Sequence, residues 1–373
     1  MKEGRKAVKG SLLEAVRGVL RELMEKGVVD SLLVPVVQSS GVVSPMLVVD
    51  GGWLDRADPL APVLPINGAR AVSELTKTGH RGRLGVVLRS CEIRAMVELA
   101  KFQQVKLDGV VVIGVDCLGT YPVEAYQGIG EKAEVEGELV AGAARGELAA
   151  HDGLEFRVAC QICEEFWPEG EHVGVRLGLI GVEPGWLYVG VADDLGGELE
   201  VDEEGPCPGR MEAIEKVRGM RHEARERALG EVRERMADGK GWMELFSSCV
   251  RCHNCMINCP ICYCRECIVR TPTFEHESEV YYRWAERKGA VRLLADTMLF
   301  HLTRLNHMVS SCVGCGLCSD ACPVGIPVGT VFQAVGEKVQ ALFDYHPGRS
   351  VGEAAPVQTF REDELTTLGE RPR

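Results

Sequence analysis

Two cysteine runs in the C-terminal third carry the clearest chemistry of the sequence. Each run has three cysteines at intervals of three residues and a fourth, four residues later, that precedes a proline. The runs are Cys249-x-x-Cys252-x-x-Cys255-x-x-x-Cys259-Pro260 and Cys312-x-x-Cys315-x-x-Cys318-x-x-x-Cys322-Pro323. Such short spacings allow one loop to wrap several corners of a cubane cluster, while the residue before proline leads the chain away toward a second cluster.

Both runs match the pattern of bacterial two-cluster ferredoxins, in which the fourth cysteine of each run binds the other cluster. We therefore expect one 4Fe–4S cluster on Cys249, Cys252, Cys255 and Cys322, and another on Cys312, Cys315, Cys318 and Cys259. Zinc binding and coincidence are the alternatives. Zinc sites usually contain paired CxxC units, so two complete copies of the longer run favour clusters.

Four further cysteines are scattered through the N-terminal half. Residues 84–89 and 109–115 have the composition of buried strands and 92–104 that of a helix, which predicts a βαβ unit with parallel strands. Residues 154–159 are predicted to form a third strand. One or two cysteines follow each strand: Cys91, Cys117, and the pair Cys160 and Cys163. Ligand sites form at the carboxyl ends of such strands, so we expect a third cluster there; four structural thiols are the alternative.

The remaining four cysteines have no assigned role. Cys262, Cys264 and Cys267 follow the first run directly, and Cys207 lies alone before a proline. They could form another metal site, serve as alternative ligands, or pack as small apolar side chains.

The elements that position these cysteines predict two structural parts in one chain. An α/β N-terminal domain with parallel strands begins with a helix capped by Ser11, followed by strands at 32–37 and 42–49. A mainly helical ferredoxin-type module follows. Residues 210–239 form a charged helical stretch before it, which we expect to be a solvated connector. Before the second run, residues recur at helical spacing: Val291, Leu294, Met298, His301, Leu302 and Leu305. We expect His301 to be a surface or core residue of that helix. This module resembles the helical ferredoxin domains of succinate dehydrogenase and heterodisulfide reductase subunits.

Composition narrows the class of protein. The chain has 373 residues, sixteen cysteines and a net charge of −13, which disfavours a nucleic-acid partner. Its apolar runs are shorter than the roughly eighteen residues that a membrane span needs, and its start does not resemble a signal peptide. Cysteine-rich chains without a secretory signal favour metal over disulfides, so we expect a cytoplasmic protein with no membrane span.

Several segments carry a family resemblance. Ser90-Cys91-Glu92-Ile93-Arg94-Ala95, Gly114-Val115-Asp116-Cys117, Ala159-Cys160-Gln161-Ile162-Cys163 and Gly178-Leu179-Ile180-Gly181 resemble the beta subunits of deazaflavin-reducing hydrogenases and formate dehydrogenases. The resemblance covers roughly residues 60–345, and the formate dehydrogenase version also fuses a two-cluster ferredoxin module. Residues 1–60 show no match to the family's flavin-contacting segment, and the chain has no Rossmann glycine fingerprint or P-loop.

The resemblance implies a 4Fe–4S cluster beside an FAD that exchanges hydride with the deazaflavin coenzyme F420. Candidate flavin contacts, taken from segments beside the resembling motifs, are Asn67, Lys77, Arg94 and Gly181. It also implies three parts: a flavin- and iron–sulfur-binding α/β domain at 1–205, a helical ferredoxin domain with two 4Fe–4S clusters at 206–346, and a C-terminal tail at 347–373.

On this interpretation the chain is the electron-transfer subunit of an oxidoreductase, with its catalytic metal on another subunit. A formate dehydrogenase alpha subunit is the expected partner, with a hydrogenase or a heterodisulfide reductase as alternatives. Other possibilities are a flavin-free wire of clusters, a flavoprotein that uses ferredoxin or NADH, and a zinc-dependent interaction or nucleic-acid module. We expect no side chain to act as a general acid or base, because the redox chemistry belongs to the cofactors.

Overall fold

The computed structural model describes residues 2–195, 199–272, 277–289 and 295–359. Within these ranges the strands are β1 (Lys2–Ala7), β2 (Ser31–Val37), β3 (Val43–Val48), β4 (Leu84–Arg89), β5 (Val110–Val115), β6 (Val173–Gly178), β7 (Trp186–Val191) and β8 (Glu203–Glu204). The helices are α1 (Leu12–Glu25), α2 (Gly68–Lys77), α3 (Ser90–Lys101), α4 (Val123–Gly128), α5 (Lys132–Ala144), α6 (Val158–Gln161), α7 (Arg210–Arg235), α8 (Gly239–Leu245), α9 (Asn254–Ile257), α10 (Ser278–Lys288), α11 (Ala295–Met308), α12 (Leu317–Asp320) and α13 (Val328–Leu342). Short 3-10 turns occur at Gly51–Arg56, Ile268–Arg270 and Pro356–Gln358.

The described strands form one mixed sheet in the order β3-β2-β4-β5-β6-β7-β1-β8. The predicted parallel pair is confirmed: β4 and β5 run in register from Leu84 beside Val110 to Arg89 beside Val115, with α3 as their connection. β2 and β6 extend the parallel part on either side. The sheet is not parallel throughout, because β2 and β3 are joined by a short turn and therefore pair antiparallel.

The predicted strand at 154–159 is wrong. Residues 154–157 are irregular, and α6 begins at Val158, so Cys160 lies in a short helix instead of following a strand. The third parallel partner on this side of the sheet is β6. The segment before α6 instead lies across the sheet edge, where the Arg157 N–H donates to the Thr120 carbonyl at 2.9 Å.

The first helix forms as the sequence predicts. The Ser11 hydroxyl accepts from the Glu14 N–H at 3.2 Å, and the Glu14 carboxylate accepts from the Ser11 N–H, which completes a capping box. One face of α1 is buried against the sheet through Val16, Val19, Leu20 and Leu23. Strands β2 and β3 also confirm the segments predicted at 32–37 and 42–49.

Helix α7 is more than a solvated connector, so that expectation is wrong. Its first half buries Ile214 and Val217 in the core beneath the sheet. Its second half buries Leu229 and Val232 in a separate core that surrounds the cysteine runs. Because one continuous helix contributes to both cores, it fixes the cysteine-bearing loops relative to the sheet.

The helix predicted before the second cysteine run is present as α11, which includes Met298, Leu302 and Leu305; Val291 and Leu294 lie outside the described residues. After α13, the chain returns across α3, where the Gly348 N–H donates to the buried Glu98 carboxylate at 2.8 Å. Residues 360–373 of the predicted tail lie outside the described residues. No helix in the described part of the chain is both long and apolar enough to cross a membrane.

Candidate metal centres

The first group of predicted ligands gathers around α9. Burial raises the pKa of the Cys255 thiol, Arg304 opposes this, and the neighbouring charges of Cys249, Cys252 and Cys322 raise it further. These four cysteines are the predicted set for one cluster, and the fold brings them together. Cys252 is exposed at the surface, whereas Cys255 is buried. The loop reaches this shape through left-handed backbone at Arg251 and His253, with φ near +56° and +60°.

The second group combines Cys259 with the cysteines of the later run. Burial raises the pKa of the Cys318 thiol well above its usual value, and the charges of Cys259, Cys315 and Cys312 raise it further. Burial and Cys259 likewise raise the pKa of Cys315 to about 12. The thiol of Cys259 has therefore left its own run and joined the second group, as the ferredoxin pattern requires.

The third group lines one cavity at the carboxyl end of the parallel strands. Its cysteines are Cys91, Cys117, Cys160 and Cys163, and the same cavity is bounded by Arg89, Arg157, Arg221 and Cys315. Burial raises the pKa of Cys91 well above its usual value, followed by the charges of Glu92, Cys315, Cys117 and Cys163. Five cysteines, the fifth being Cys315 of the second group, and three arginines thus line one cavity.

The loop that carries Cys117 is fixed by its neighbour Asp116. The Asp116 carboxylate accepts from the N–H groups of Leu179 and Ile180 at 2.8 and 3.0 Å. It also accepts from both terminal nitrogens of Arg210 at 2.7 and 2.9 Å. On the opposite side of the cavity, the Thr120 hydroxyl lies 3.1 Å from the Cys160 sulfur.

The buried arginines fit a set of negatively charged clusters. Arg157 and Arg304 are only 3% and 4% exposed, although a buried cation is costly unless anions surround it. Burial opposes the charge of each guanidinium. Facing cysteines raise the pKa of both above the usual value, and for Arg157 the Asp320 carboxylate, 2.6 Å from its Nε, does so as well. Metal binding is what keeps buried thiols deprotonated, so this donor set suits iron–sulfur clusters.

Among the described residues, no three His, Cys, Asp or Glu side chains converge closely enough to hold a single metal ion. That finding concerns single ions only. A cubane cluster is an extended group that holds its four thiolates at separate corners.

Two buried arginines lie between neighbouring groups. Arg304 faces Cys255 of the first group and Cys259 and Cys318 of the second. Arg157 connects the second to the third, because its guanidinium donates to the Cys315 carbonyl and, at 3.1 Å, to the Thr120 hydroxyl. Gly316 lies at this junction with φ near +73°, and a Cβ there would come within 2.2 Å of the Ala159 Cβ.

The four predicted flavin contacts have different surroundings. Asn67 caps α2 and is fully buried, and its Nδ2 has no hydrogen-bond partner among the described residues. Arg94 donates to the carbonyls of Pro347 and Val313 and lines a polar cavity of about 270 Å³. Lys77 pairs with Glu74, and Gly181 packs against the first turn of α7, where a Cβ would lie 2.7 Å from the Ala213 Cβ.

An apolar cavity that the sequence did not reveal lies between α1 and α5. Its volume is about 260 Å³, and none of the four predicted flavin contacts lines it. Its walls include Leu12, Leu13, Leu60, Leu118, Leu139 and Val140. Leu118 directly follows Cys117, so the cavity lies close to the third group.

The remaining cysteines stay outside the three groups. Cys262 is partly buried beside Cys259, and burial raises its pKa to about 11. Cys264 is exposed, and the Cys207 thiol lies 3.9 Å from the Gly181 carbonyl. Their roles stay open.

Sequence analysis did not assign a role to the polar and charged residues that surround the cysteines. His301 lies with its Nε2 3.4 Å from the Cys249 sulfur, and Arg304 donates to Cys255 from the next turn of the same helix. One signal could have found them: both residues occupy the otherwise apolar stripe of α11. Arg157 and Arg221 carry no such signal, since they come from irregular chain and a charged helix.

Comparison with known proteins finds similar sequences and a weak similarity to solved structures. Residues 246–326 match the family model of a 4Fe–4S dicluster domain. A beta subunit of F420-dependent formate dehydrogenase from Methanocaldococcus jannaschii is 28% identical over 71% of this chain and 74% of its own length. A beta subunit of F420-dependent formate dehydrogenase 1 from Methanococcus maripaludis is 27% identical over 93% of both chains. A chain of the xenon-derivatized F420-reducing NiFe hydrogenase complex from Methanosarcina barkeri aligns with a TM-score of 0.45 and 14% identity, covering 63% of this chain and 92% of that one.

Proposed function

Because this chain belongs to the family of F420-dependent formate dehydrogenase beta subunits, we propose that it carries electrons between F420 and a formate-oxidising partner subunit. It is an electron-transfer subunit of an oxidoreductase with a 4Fe–4S domain.

The observation that supports this proposal best is the succession of three cysteine groups. Each contains four thiols, and each adjoins the next through a buried arginine. Bound 4Fe–4S clusters would supply one-electron transfer, and the chain's own residues hold them in sequence. We assign Cys249, Cys252, Cys255 and Cys322 to the first cluster, Cys259, Cys312, Cys315 and Cys318 to the second, and Cys91, Cys117, Cys160 and Cys163 to the third.

We also propose an FAD in the N-terminal domain, beside the third group. A bound flavin converts a two-electron hydride exchange into single electrons. The apolar cavity between α1 and α5 would suit its flat ring, since leucines line it and Leu118 adjoins Cys117. The Asn67 Nδ2, which has no hydrogen-bond partner among the described residues, and Arg94 at the polar cavity remain proposed contacts to the rest of the cofactor. Lys77 and Gly181 are supported only by the family resemblance.

The two ends of this path would meet different partners. At the third group, the flavin would exchange hydride with F420. At the first group, the exposed Cys252 places a cluster ligand at the surface, where a catalytic subunit could approach. A formate dehydrogenase alpha subunit is the partner we favour, because both curated relatives are formate dehydrogenase beta subunits.

Anaerobic reduction of the purified protein, followed by visible absorbance, tests the proposal. Reduced F420 is added to one sample and NADH to a matched one, with dithionite added last to each. Bleaching of flavin and cluster bands by reduced F420 alone is the expected result. If only dithionite bleaches the clusters and no flavin is extracted, the chain is a flavin-free chain of clusters. If NADH is the effective donor, F420 is not the electron carrier of this protein.

A further inference from the structure

Arg304 is a buried cation inside the cysteine-rich module. It lies on α11 and is 4% exposed, with its guanidinium 5.6 Å from the ring centre of Phe300 and 5.2 Å from that of Phe332. None of the described carboxylates forms an ion pair with it. A buried charge in such surroundings requires other anions nearby, because its desolvation costs several kcal/mol.

Thiolates of the proposed cluster ligands would supply these anions, and one of the cysteines is contacted directly. The Arg304 Nη1 donates to the Cys255 sulfur at 3.1 Å, and its Nη2 donates to the Cys255 carbonyl at 3.1 Å. This two-point contact holds the planar guanidinium in a single orientation. The Nε atom is buried and has no hydrogen-bond partner among the described residues, so the guanidinium is held through its two terminal nitrogens.

The same guanidinium faces ligands of both predicted ferredoxin clusters. Its charge interacts electrostatically with Cys255, Cys259 and Cys318. Cys255 belongs to the first group, whereas Cys259 and Cys318 belong to the second. Arg304 therefore lies between the two groups, with its closest contact on the first.

We infer that Arg304 is a positioning residue that raises the reduction potentials of both ferredoxin-type clusters, and that of the first cluster most. This inference rests on the proposed function, because it requires clusters at both groups. Each cluster gains one negative charge when it accepts one electron, so a fixed positive charge stabilises the reduced form more than the oxidised form. Hydrogen bonds to cluster sulfurs are a recognised control of the potential.

Two substitutions at this position separate the effect of the charge from that of the hydrogen-bond donor. Arg304→Gln removes the charge and retains a donor, whereas Arg304→Lys retains the charge on a different donor geometry. Arg233→Gln is the matched control, because Arg233 belongs to the same module but binds the Glu337 carboxylate and the Ala334 carbonyl. Iron per chain is measured for every variant before its clusters are compared.

Redox titration of the full chain, followed by electron paramagnetic resonance, gives the readout. We expect Arg304→Gln to lower the potential of the first cluster by at least 59 mV, a tenfold change in the ratio of its reduced to oxidised forms. The second cluster should shift in the same direction by less. In Arg304→Lys, which keeps the charge, both potentials should stay closer to their wild-type values. Arg233→Gln should leave both potentials at their wild-type values.

A full iron content with wild-type potentials in Arg304→Gln would overturn the inference and leave the proposed function intact. Absence of iron from both groups in the wild-type protein would instead refute the proposed function. If Arg304→Gln fails to fold, wild-type protein labelled with ¹⁵N at the arginine terminal nitrogens decides the matter. Pulsed electron paramagnetic resonance of the reduced first cluster should then show a coupling to ¹⁵N. Absence of this coupling would contradict the contact between Arg304 and the Cys255 sulfur.

Discussion

Asp116 and Arg210 form a buried two-point ion pair that ties the end of β5 to the first turn of α7. The Asp116 side chain is fully buried and that of Arg210 is 8% exposed. The Arg210 guanidinium also lies 4.6 Å from the ring centre of Tyr188. Because Cys117 follows Asp116 directly, this ion pair anchors the third cysteine group to the helix that reaches the other two.

Substitution of Asp116 by Asn should destabilise the protein strongly. The change leaves Arg210 buried without its counter-charge, and breaking a buried pair in this way costs about 3–5 kcal/mol. Anaerobic urea unfolding measures the loss. Glu215→Gln, which removes an exposed pair with Arg218, is the control and should remain close to wild type. A free energy of unfolding unchanged by Asp116→Asn would show that the pair does not anchor this loop.

Substitution of Cys315 by Ala should remove or convert the second cluster. Cys315 is assigned as one of its four thiolate ligands, and a cubane that loses a ligand loses a corner of its binding site. Iron and sulfide analysis, together with the resonance spectrum of the reduced protein, gives the measurement. Cys264→Ala is a matched control, because Cys264 is exposed and lies outside all three groups. Equal iron contents in the two variants would refute the assignment.

Substitution of Cys117 by Ala should remove the third cluster and leave the other two in place. Cys117 shares its cavity with Cys91, Cys160 and Cys163, and of the ligands proposed for the other two clusters only Cys315 also lines it. Thermal stability should also fall, because bound metal contributes folding free energy. The iron content of the variant, compared with that of Cys207→Ala, is the test. Retention of all iron would mean that these four cysteines are structural thiols.

Glu136 should make stability depend on pH. Burial, followed by the charge of Asp58, raises the pKa of Glu136 to about 7, and the Tyr126 hydroxyl donates to it at 3.2 Å. The folded state therefore favours the protonated acid, so its contribution is complete below the unfolded-state pKa near 4.5 and is lost as pH rises to about 7. Lys132 and Arg17 also face this carboxyl and oppose the shift.

Glu136→Gln tests this dependence because its amide is neutral at every pH. Relative to wild type, the variant should gain stability between pH 5 and pH 8, as measured by urea midpoints at both values. Glu134→Gln, at an exposed position on the same helix, should show no such gain. Parallel wild-type and Glu136→Gln midpoints across this range would indicate that the carboxyl is ionised in the folded protein throughout.

Local features of the protein could be predicted from the order of its residues. Cysteine spacing depends only on residue order, so both runs and the predicted exchange of Cys259 and Cys322 between them could be written down directly. The parallel pair β4 and β5 and the capped helix α1 also follow from local patterns, because buried strands and capping boxes involve residues near one another in the chain. The strand predicted at 154–159 is wrong because that prediction used local composition alone. Its composition suits a strand, but hydrogen bonding to Thr120 and the start of α6 override that propensity.

Tertiary structure alone decided which distant residues meet. Arg304 and Cys255 are 49 residues apart, and Arg157 and Cys315 are 158 apart, so no local pattern links them. The division of α7 between two cores, and the cavity between α1 and α5, likewise arise only when separate elements pack together. Spacing therefore specifies the cysteines that can bind a cluster, whereas packing places the buried charges around them, because burial and Coulomb interactions depend on distance in space.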